Sequence, residues 1–263
     1  MKILISILLL FSTFNLGSFK LINEINITSN FFTTDNLGNV YTVNNKQLTK
    51  FNKEGNKICE YSNNFLGDIT SVDVSNPLRI LIFYKDFNQI VFLDNTLSAI
   101  GSPINLNDID IDEATLVCGS NQNGFIVLNS QTKKLCKYDK NLKEVYESFN
   151  LGQIVGREFL ANEMFEKNGY VYLNIPNKGI LIFDMYGVYV KTIYIRNLKT
   201  FQIKNKNILY HNNNSLNLYN LKSFQTDSLK LPDFVRIINS RIEEDRLYIL
   251  KANKLLIYQI INE

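Results

Sequence analysis

Residues 169–192 read GYVYLNIPNKGILIFDMYGVYVKT. Short apolar runs rich in Tyr, Val and Ile alternate here with Asn, Asp, Gly and Lys. The segment Asp184-Met185-Tyr186-Gly187 ends in Gly, as a tight turn requires. Apolar runs of this length that are bounded by turn residues are typical of strands, not helices. The stretch therefore predicts consecutive antiparallel strands joined by tight turns.

The same pattern recurs six times along the chain. One apolar strand of each unit lies at 39–43, 79–83, 124–128, 169–173, 207–210 and 246–250. The next strand ends in a polar turn residue, at positions 52, 94, 139, 184, 220 and 259, and these are 42, 45, 45, 36 and 39 residues apart. A four-stranded unit of about forty residues that repeats six times predicts an all-β fold, the six-bladed β-propeller.

The two ends of the chain indicate how the ring closes. The last unit stops after its third strand, 255–259, while an additional strand at 19–25 precedes the first unit. We expect this N-terminal strand to complete the last blade, because the pairing removes an exposed edge. The propeller would then comprise residues 19–263.

These repeats resemble the broad class of NHL-like or YVTN-like propellers, in the divergent form found in exported proteins of Bacteroidota. The resemblance rests on turns such as Phe183-Asp184 followed by Gly187, and on strands such as Gly169-Tyr170-Val171. The chain has no Trp, so the WD-repeat signature is absent. Because many propellers share these motifs, the resemblance implies a fold and not an activity.

The first eighteen residues have the pattern of a secretory signal peptide. Lys2 is followed by the apolar run 3–11 and by a segment ending in Gly17-Ser18. The run is shorter than the roughly twenty residues of a membrane span. We expect export to the periplasm or the cell surface, with no integral membrane segment once residues 1–18 are removed.

The remaining composition excludes several classes of site. Lys and Arg number 28 against 25 Asp and Glu, and no basic cluster occurs, so nucleic-acid binding is not expected. The single histidine, His211, lies in an Asn-rich stretch without an assignable nucleophile, so no catalytic residue is predicted. Whether any two of Cys59, Cys118 and Cys136 form a disulfide remains open.

The central channel is the place where a metal could bind. We predict innermost strands at 31–35, 69–74, 114–118, 158–163, 199–203 and 235–239. They would bring carboxylates toward the axis, and calcium prefers such oxygen ligands. The weak candidate ligands are Asp35, Asp73, Glu158 and Glu163. Arg236 and Arg241 could instead pair with these acids, so we predict no cofactor and keep calcium as an alternative.

The connections between blades are the candidate binding surface, because a rigid ring positions its loops. They lie at 63–68, 106–113, 151–157, 196–198 and 231–234. The candidate partner-binding residues are Phe65, Asp68, Arg157, Phe234 and Arg236. Aromatic and Arg side chains commonly dominate interface energetics.

The sequence favours a non-catalytic scaffold that binds an envelope or outer-membrane protein, as an accessory of an outer-membrane or secretion complex. Two alternatives stay open. One is a calcium-dependent hydrolase or lyase with a carboxylate site in the channel. The other is a carbohydrate-binding surface protein, which would need exposed aromatic side chains.

Overall fold

The computed structural model describes residues 18–212, 214–232 and 235–261. These residues form six four-stranded antiparallel sheets, the blades of a β-propeller. The predicted fold is confirmed. The predicted signal peptide lies outside the described residues except for Ser18.

The strands are numbered in chain order. The N-terminal strand is β1 Ser18–Asn26, and blade 1 holds β2 Phe31–Thr34, β3 Val40–Asn44, β4 Gln47–Phe51 and β5 Lys57–Ser62. Blade 2 holds β6 Ser71–Asp73, β7 Ile80–Tyr84, β8 Gln89–Leu93 and β9 Ile104–Asn105. Blade 3 holds β10 Ala114–Gly119, β11 Phe125–Asn129, β12 Leu135–Tyr138 and β13 Glu144–Glu147.

Blade 4 holds β14 Glu163–Lys167, β15 Tyr170–Ile175, β16 Gly179–Phe183 and β17 Tyr189–Ile193. Blade 5 holds β18 Gln202–Lys204, β19 Asn207–Asn212, β20 Ser215–Asn220 and β21 Thr226–Lys230. Blade 6 holds β22 Asn239–Glu243, β23 Arg246–Leu250 and β24 Lys254–Ile261. The described helical segments are α1 Gly152–Val155 and the 3₁₀ turns Lys85–Phe87, Leu106–Ile109 and Asn121–Asn123.

Blade 6 is closed by the N-terminal strand, as predicted. β1 pairs antiparallel with β24 in a register that runs from Ser18 opposite Ile261 to Asn26 opposite Lys254. The Phe19 ring meets the Tyr258 ring edge-on, with centroids 6.4 Å apart. Ile25 packs against the apolar core between blades 6 and 1. The pairing covers the backbone edge of β24 and joins the two ends of the ring.

The core is divided among the boundaries between neighbouring blades. Alternate residues of a strand point to opposite sides of its sheet. In β7, Ile80 and Ile82 face blade 1 while Leu81 and Phe83 face blade 3, and all four are buried. Strands that are buried on both sides carry continuous apolar sequence, which explains the runs that revealed the repeat.

Four innermost strands begin later than the sequence predicts: β6 starts at Ser71 instead of 69 and β18 at Gln202 instead of 199, and the difference is larger in the other two. β14 starts at Glu163 instead of 158, and β22 starts at Asn239 instead of 235. The apolar residues Phe159 and Ile237 produced the early prediction. Both pack against the core from the connections that precede these strands.

One face of the ring carries the connections between blades together with the loops between the second and third strands of each blade. We call it the connection face. The opposite face carries the remaining loops and turns, and we call it the turn face. On the connection face a backbone amide of each connection donates to a carbonyl of the adjacent loop, over 2.7–3.3 Å. The pairs are Ile27–Asn253, Ile69–Asn45, Leu106–Asn88, Leu151–Lys133, Asn197–Pro176 and Leu231–Asn214.

The three cysteines are free thiols. Cys118 packs between blades 3 and 4, whereas Cys136 packs between blades 2 and 3, so they lie on opposite sides of blade 3. Burial raises the pKa of the Cys118 thiol and raises that of Cys136 to about 12. Both therefore remain protonated and act as apolar core residues.

None of the helices in the described residues is long and apolar enough to cross a membrane.

Candidate functional site

The innermost strands of all six blades line a central channel with a volume of about 750 Å³. Most of the residues that line it are polar, and they include Asp73, Glu163, Lys204, Arg241 and Glu243. The channel therefore gathers charges of both signs, and their hydrogen bonds determine what it can do.

Glu163 connects blade 4 to blade 5. Its Oε1 accepts a hydrogen bond from Thr200 Oγ1 at 2.7 Å, and its Oε2 accepts one from the Phe201 amide at 2.8 Å. Burial raises the pKa of Glu163 to about 7, although the hydrogen bonds and the nearby Arg241 charge act in the opposite direction. Both carboxylate oxygens are thus engaged across a blade boundary.

Other channel carboxylates make the same kind of connection. Asp73 in blade 2 accepts a hydrogen bond from the Gly119 amide of blade 3 at 2.8 Å. Glu166 in blade 4 accepts one from Ser120 Oγ at 2.5 Å and pairs with Lys137 Nζ at 3.2 Å, both from blade 3. These acids hold neighbouring blades together at their inner edges.

Glu243 in blade 6 spans two boundaries. Its Oε1 accepts hydrogen bonds from Thr34 Oγ1 of blade 1 at 2.9 Å and from Gln202 Nε2 of blade 5. Arg241 Nε donates to the same Thr34 hydroxyl at 2.9 Å. Burial lowers the pKa of the Arg241 guanidinium, and the charges of Glu243, Glu163 and Asp73 oppose that effect. These contacts connect blade 6 with both of its neighbours.

The candidate calcium ligands do not come together as one open site. Asp35 uses both oxygens within its own turn, where it accepts hydrogen bonds from the amides of Leu37 and Asn39 and from Tyr41 Oη, each at 2.9 Å. Glu158 lies outside the channel, with its side chain 98% exposed. Among the described residues no group of three or more His, Cys, Asp or Glu side chains is arranged to hold a metal ion.

Four of the five candidate partner-binding residues lie on the connection face. Phe65 is 87% exposed, and Asp68, Arg157 and Arg236 are also exposed. Arg236 stands on the connection before β22, in the left-handed backbone region, and does not line the channel. Phe234 lies outside the described residues.

Three further exposed side chains on this face were not predicted from the sequence. Leu160 is 84% exposed, and Phe149 and Tyr194 are each 76% exposed. They belong to the connections that follow β13 and β17. In sequence they resemble neighbouring core residues such as Phe159, so only the fold separates the exposed ones from the buried ones.

A second cavity, of about 490 Å³, lies on the turn face between blades 3 and 4. Its lining includes Asn121, Gln122 and Asn123 from blade 3 together with Met185 and Tyr186 from blade 4. Tyr186 is 68% exposed, so it offers an aromatic surface beside hydrogen-bonding groups.

The sequence matches no protein-family model and no curated protein. Solved structures do resemble the fold. The WD40 domain of Neurospora crassa Pan2 has a TM-score of 0.64 at 8% identity, covering 95% of this chain and 97% of that chain. Virginiamycin B lyase from Staphylococcus aureus has a TM-score of 0.58 at 11% identity, covering 93% of this chain and 100% of that chain.

A further similar structure is BBS1N, solved in complex with ARL6DN. Its TM-score is 0.56 at 12% identity, covering 84% of this chain and 75% of that chain. At these identities the similarity establishes the propeller fold alone, since enzymes and protein-binding domains share it.

Proposed function

We propose that this protein is a non-catalytic scaffold of the cell envelope that binds a protein partner through its connection face. The exposed aromatic residues of that face carry the proposal. Phe65 and Tyr194 are 87% and 76% exposed, yet they stand on connections that hydrogen bonds hold to the adjacent loops. Rigid, exposed aromatic side chains contribute strongly to protein binding at little cost in conformational entropy.

The channel favours a structural role over catalysis. Asp73, Glu163 and Glu243 accept hydrogen bonds from neighbouring blades, so their oxygens serve to hold the ring. The predicted signal peptide supports a location in the periplasm or at the cell surface. An outer-membrane or secretion complex is the kind of partner that the resemblance to exported propellers suggests.

Affinity capture from the native envelope tests the proposal. We expect the tagged protein to retain a stoichiometric partner that is lost when Phe65→Ser and Tyr194→Ser are combined. Tyr186→Ser is the matched control, because Tyr186 is similarly exposed but lies on the turn face. Equal capture by the double variant and the wild type would contradict the choice of face.

The cavity on the turn face favours a second candidate function, carbohydrate binding. Amide groups that donate and accept hydrogen bonds line this cavity together with an exposed tyrosine, and neutral sugars offer hydroxyl groups together with apolar C–H surfaces. Saturation-transfer NMR with neutral mono- and disaccharides tests this candidate. We expect transfer that disappears in Tyr186→Ala and persists in Tyr194→Ala; no transfer to any sugar would remove the candidate.

A further inference from the structure

Acidic side chains gather on one side of the connection face. They stand on the two connections that flank blade 2 and on the loop between β7 and β8. All are exposed: Asp68, Asp86, Asp108, Asp110, Asp112 and Glu113. We call this group the acidic sector. Lys85 is the one basic residue on these segments, and Lys46 is exposed on the adjacent loop between β3 and β4, so six acids face two lysines in this described part of the chain.

Basic side chains gather over blades 4 to 6. They stand on the connections that follow blades 3, 4 and 5 and on the loop between β15 and β16, and they form the basic sector: Arg157, Lys178, Arg196, Lys199 and Arg236. Glu158 also lies on these segments, but Lys133 Nζ is 3.9 Å from its carboxylate and compensates its charge. The described part of the connection face is therefore electrically polarised.

This polarity restricts the partner. A partner with charge of one sign would be attracted by one sector and repelled by the other. A partner surface that carries both charges can pair with both sectors. The connection face of a second copy of this chain is such a surface. When a second copy is turned over about a two-fold axis in the plane of the face, each acidic sector meets a basic sector.

We infer that a second copy of this chain binds the connection face, giving a face-to-face dimer with two equivalent acidic-to-basic contacts. The inference rests on the proposed function, because it takes the same face and identifies its partner as this chain. Exposed aromatic residues accompany both sectors: Phe65 stands beside the acidic one and Tyr194 beside the basic one. Apolar contact would thus supplement the charge pairing, whose long-range part weakens as salt rises.

Charge reversal followed by mixing tests the inference. One variant combines Asp108→Lys with Asp112→Lys, and the other combines Arg157→Glu with Arg196→Glu. Each alone places like charges opposite one another, so we expect self-association to weaken about tenfold or more. In an equimolar mixture both contacts become complementary again, so light scattering should show that the dimer returns.

The control variant combines Lys140→Glu with Lys143→Glu on the turn face and should dimerise like the wild type. Thermal unfolding of every variant confirms that the fold is retained, since all the replaced side chains are exposed. A monomeric wild type at low salt, a dimer that resists both reversals, or a mixture that stays monomeric would overturn the inference. If the wild type is monomeric but captures another protein through Phe65 and Tyr194, the proposed function stands and the dimer is wrong.

Discussion

Glu163 shows how one buried carboxylate can make stability depend on pH. Its pKa is raised to about 7 from an ordinary value near 4.5, so the native state holds a proton that the unfolded state releases between these values. Stability conferred by this group is therefore highest at low pH, falls as pH rises through that interval and is level above it.

Replacing Glu163 with Gln should remove that contribution, because Gln is neutral throughout and keeps one acceptor oxygen. Urea unfolding of both proteins at about pH 5 and about pH 8 measures the contribution of Glu163 to stability. When the pH rises from about 5 to about 8, the variant should gain about 1–3 kcal/mol in free energy of unfolding relative to the wild type. Parallel pH profiles would show that Glu163 titrates normally.

Position 187 requires glycine for two reasons: its backbone has a positive φ, and a neighbouring ring leaves no room for a Cβ. It has a φ of +77°, and a Cβ there would lie 2.5 Å from Cε2 of the Tyr146 ring. Gly169 has the same φ but open space around it. Gly169→Ala should cost about 1 kcal/mol of stability from the backbone alone, and Gly187→Ala about 1–3 kcal/mol more.

Denaturant unfolding of the two alanine variants checks this difference. In a Tyr146→Ala background the additional cost at Gly187 should disappear, because the ring that causes the clash is gone. Equal costs for the two variants in the wild-type background would contradict the contact.

Among the elements, the turns between third and fourth strands of blades 1 to 4 share one pattern of hydrogen bonds. Asp139 Oδ1 accepts hydrogen bonds from the amides of Asn141 and Lys143 at 2.8 and 2.9 Å. Asp94, Asp184 and Asn52 make the same pair of contacts in other blades. The repeat visible in sequence is therefore a repeat of hydrogen-bonded turns.

Asp139→Ala should destabilise the fold by about 1–2 kcal/mol, because two amides lose their acceptor. Asp139→Asn is the matched control and should cost little, since Asn52 already fills this role in blade 1. Thermal unfolding distinguishes the two. A loss of the same size in both variants would mean that the negative charge, and not the acceptor geometry, stabilises the turn.

Strand β1 should be indispensable although most of its side chains are exposed. A chain that lacks residues 1–26 leaves the edge of β24 unpaired and separates Ile25 from the core between blades 6 and 1. We expect a lower melting temperature and aggregation. A chain that lacks only residues 1–17 keeps β1 and serves as the control, which should melt at a higher temperature; equal behaviour of the two truncations would contradict this role.

For the whole molecule, the ring and its closure could be predicted from sequence because both depend on local patterns. Apolar runs mark the strands, and the even spacing of turn residues such as Asp139 and Asp184 counts the blades. The structural role of the channel carboxylates could not be predicted from local sequence patterns. Glu163 meets Thr200 and Phe201 of the next blade, and no local pattern reveals such distant partners.

The calcium-dependent alternative makes a prediction for the whole ring. A resident ion should raise the melting temperature when calcium is added, and Asp73→Asn should abolish the rise. We expect no rise, because the Asp73 oxygens already accept hydrogen bonds from the Ser75 and Gly119 amides. Differential scanning fluorimetry decides the matter, and a calcium-dependent increase would restore the enzyme alternative.

The pairing of β1 with β24 also sets the order of events during synthesis. Lys254 bonds to Glu24 across a sequence separation of 230 residues, so β1 must wait until about that many further residues have been made. Until then β1 has no partner strand, and five blades can be complete while the ring stays open. Closure over so long a separation is slow, and the waiting chain is exposed to misassembly. The nascent protein therefore has a vulnerable interval in which a chaperone would be most useful.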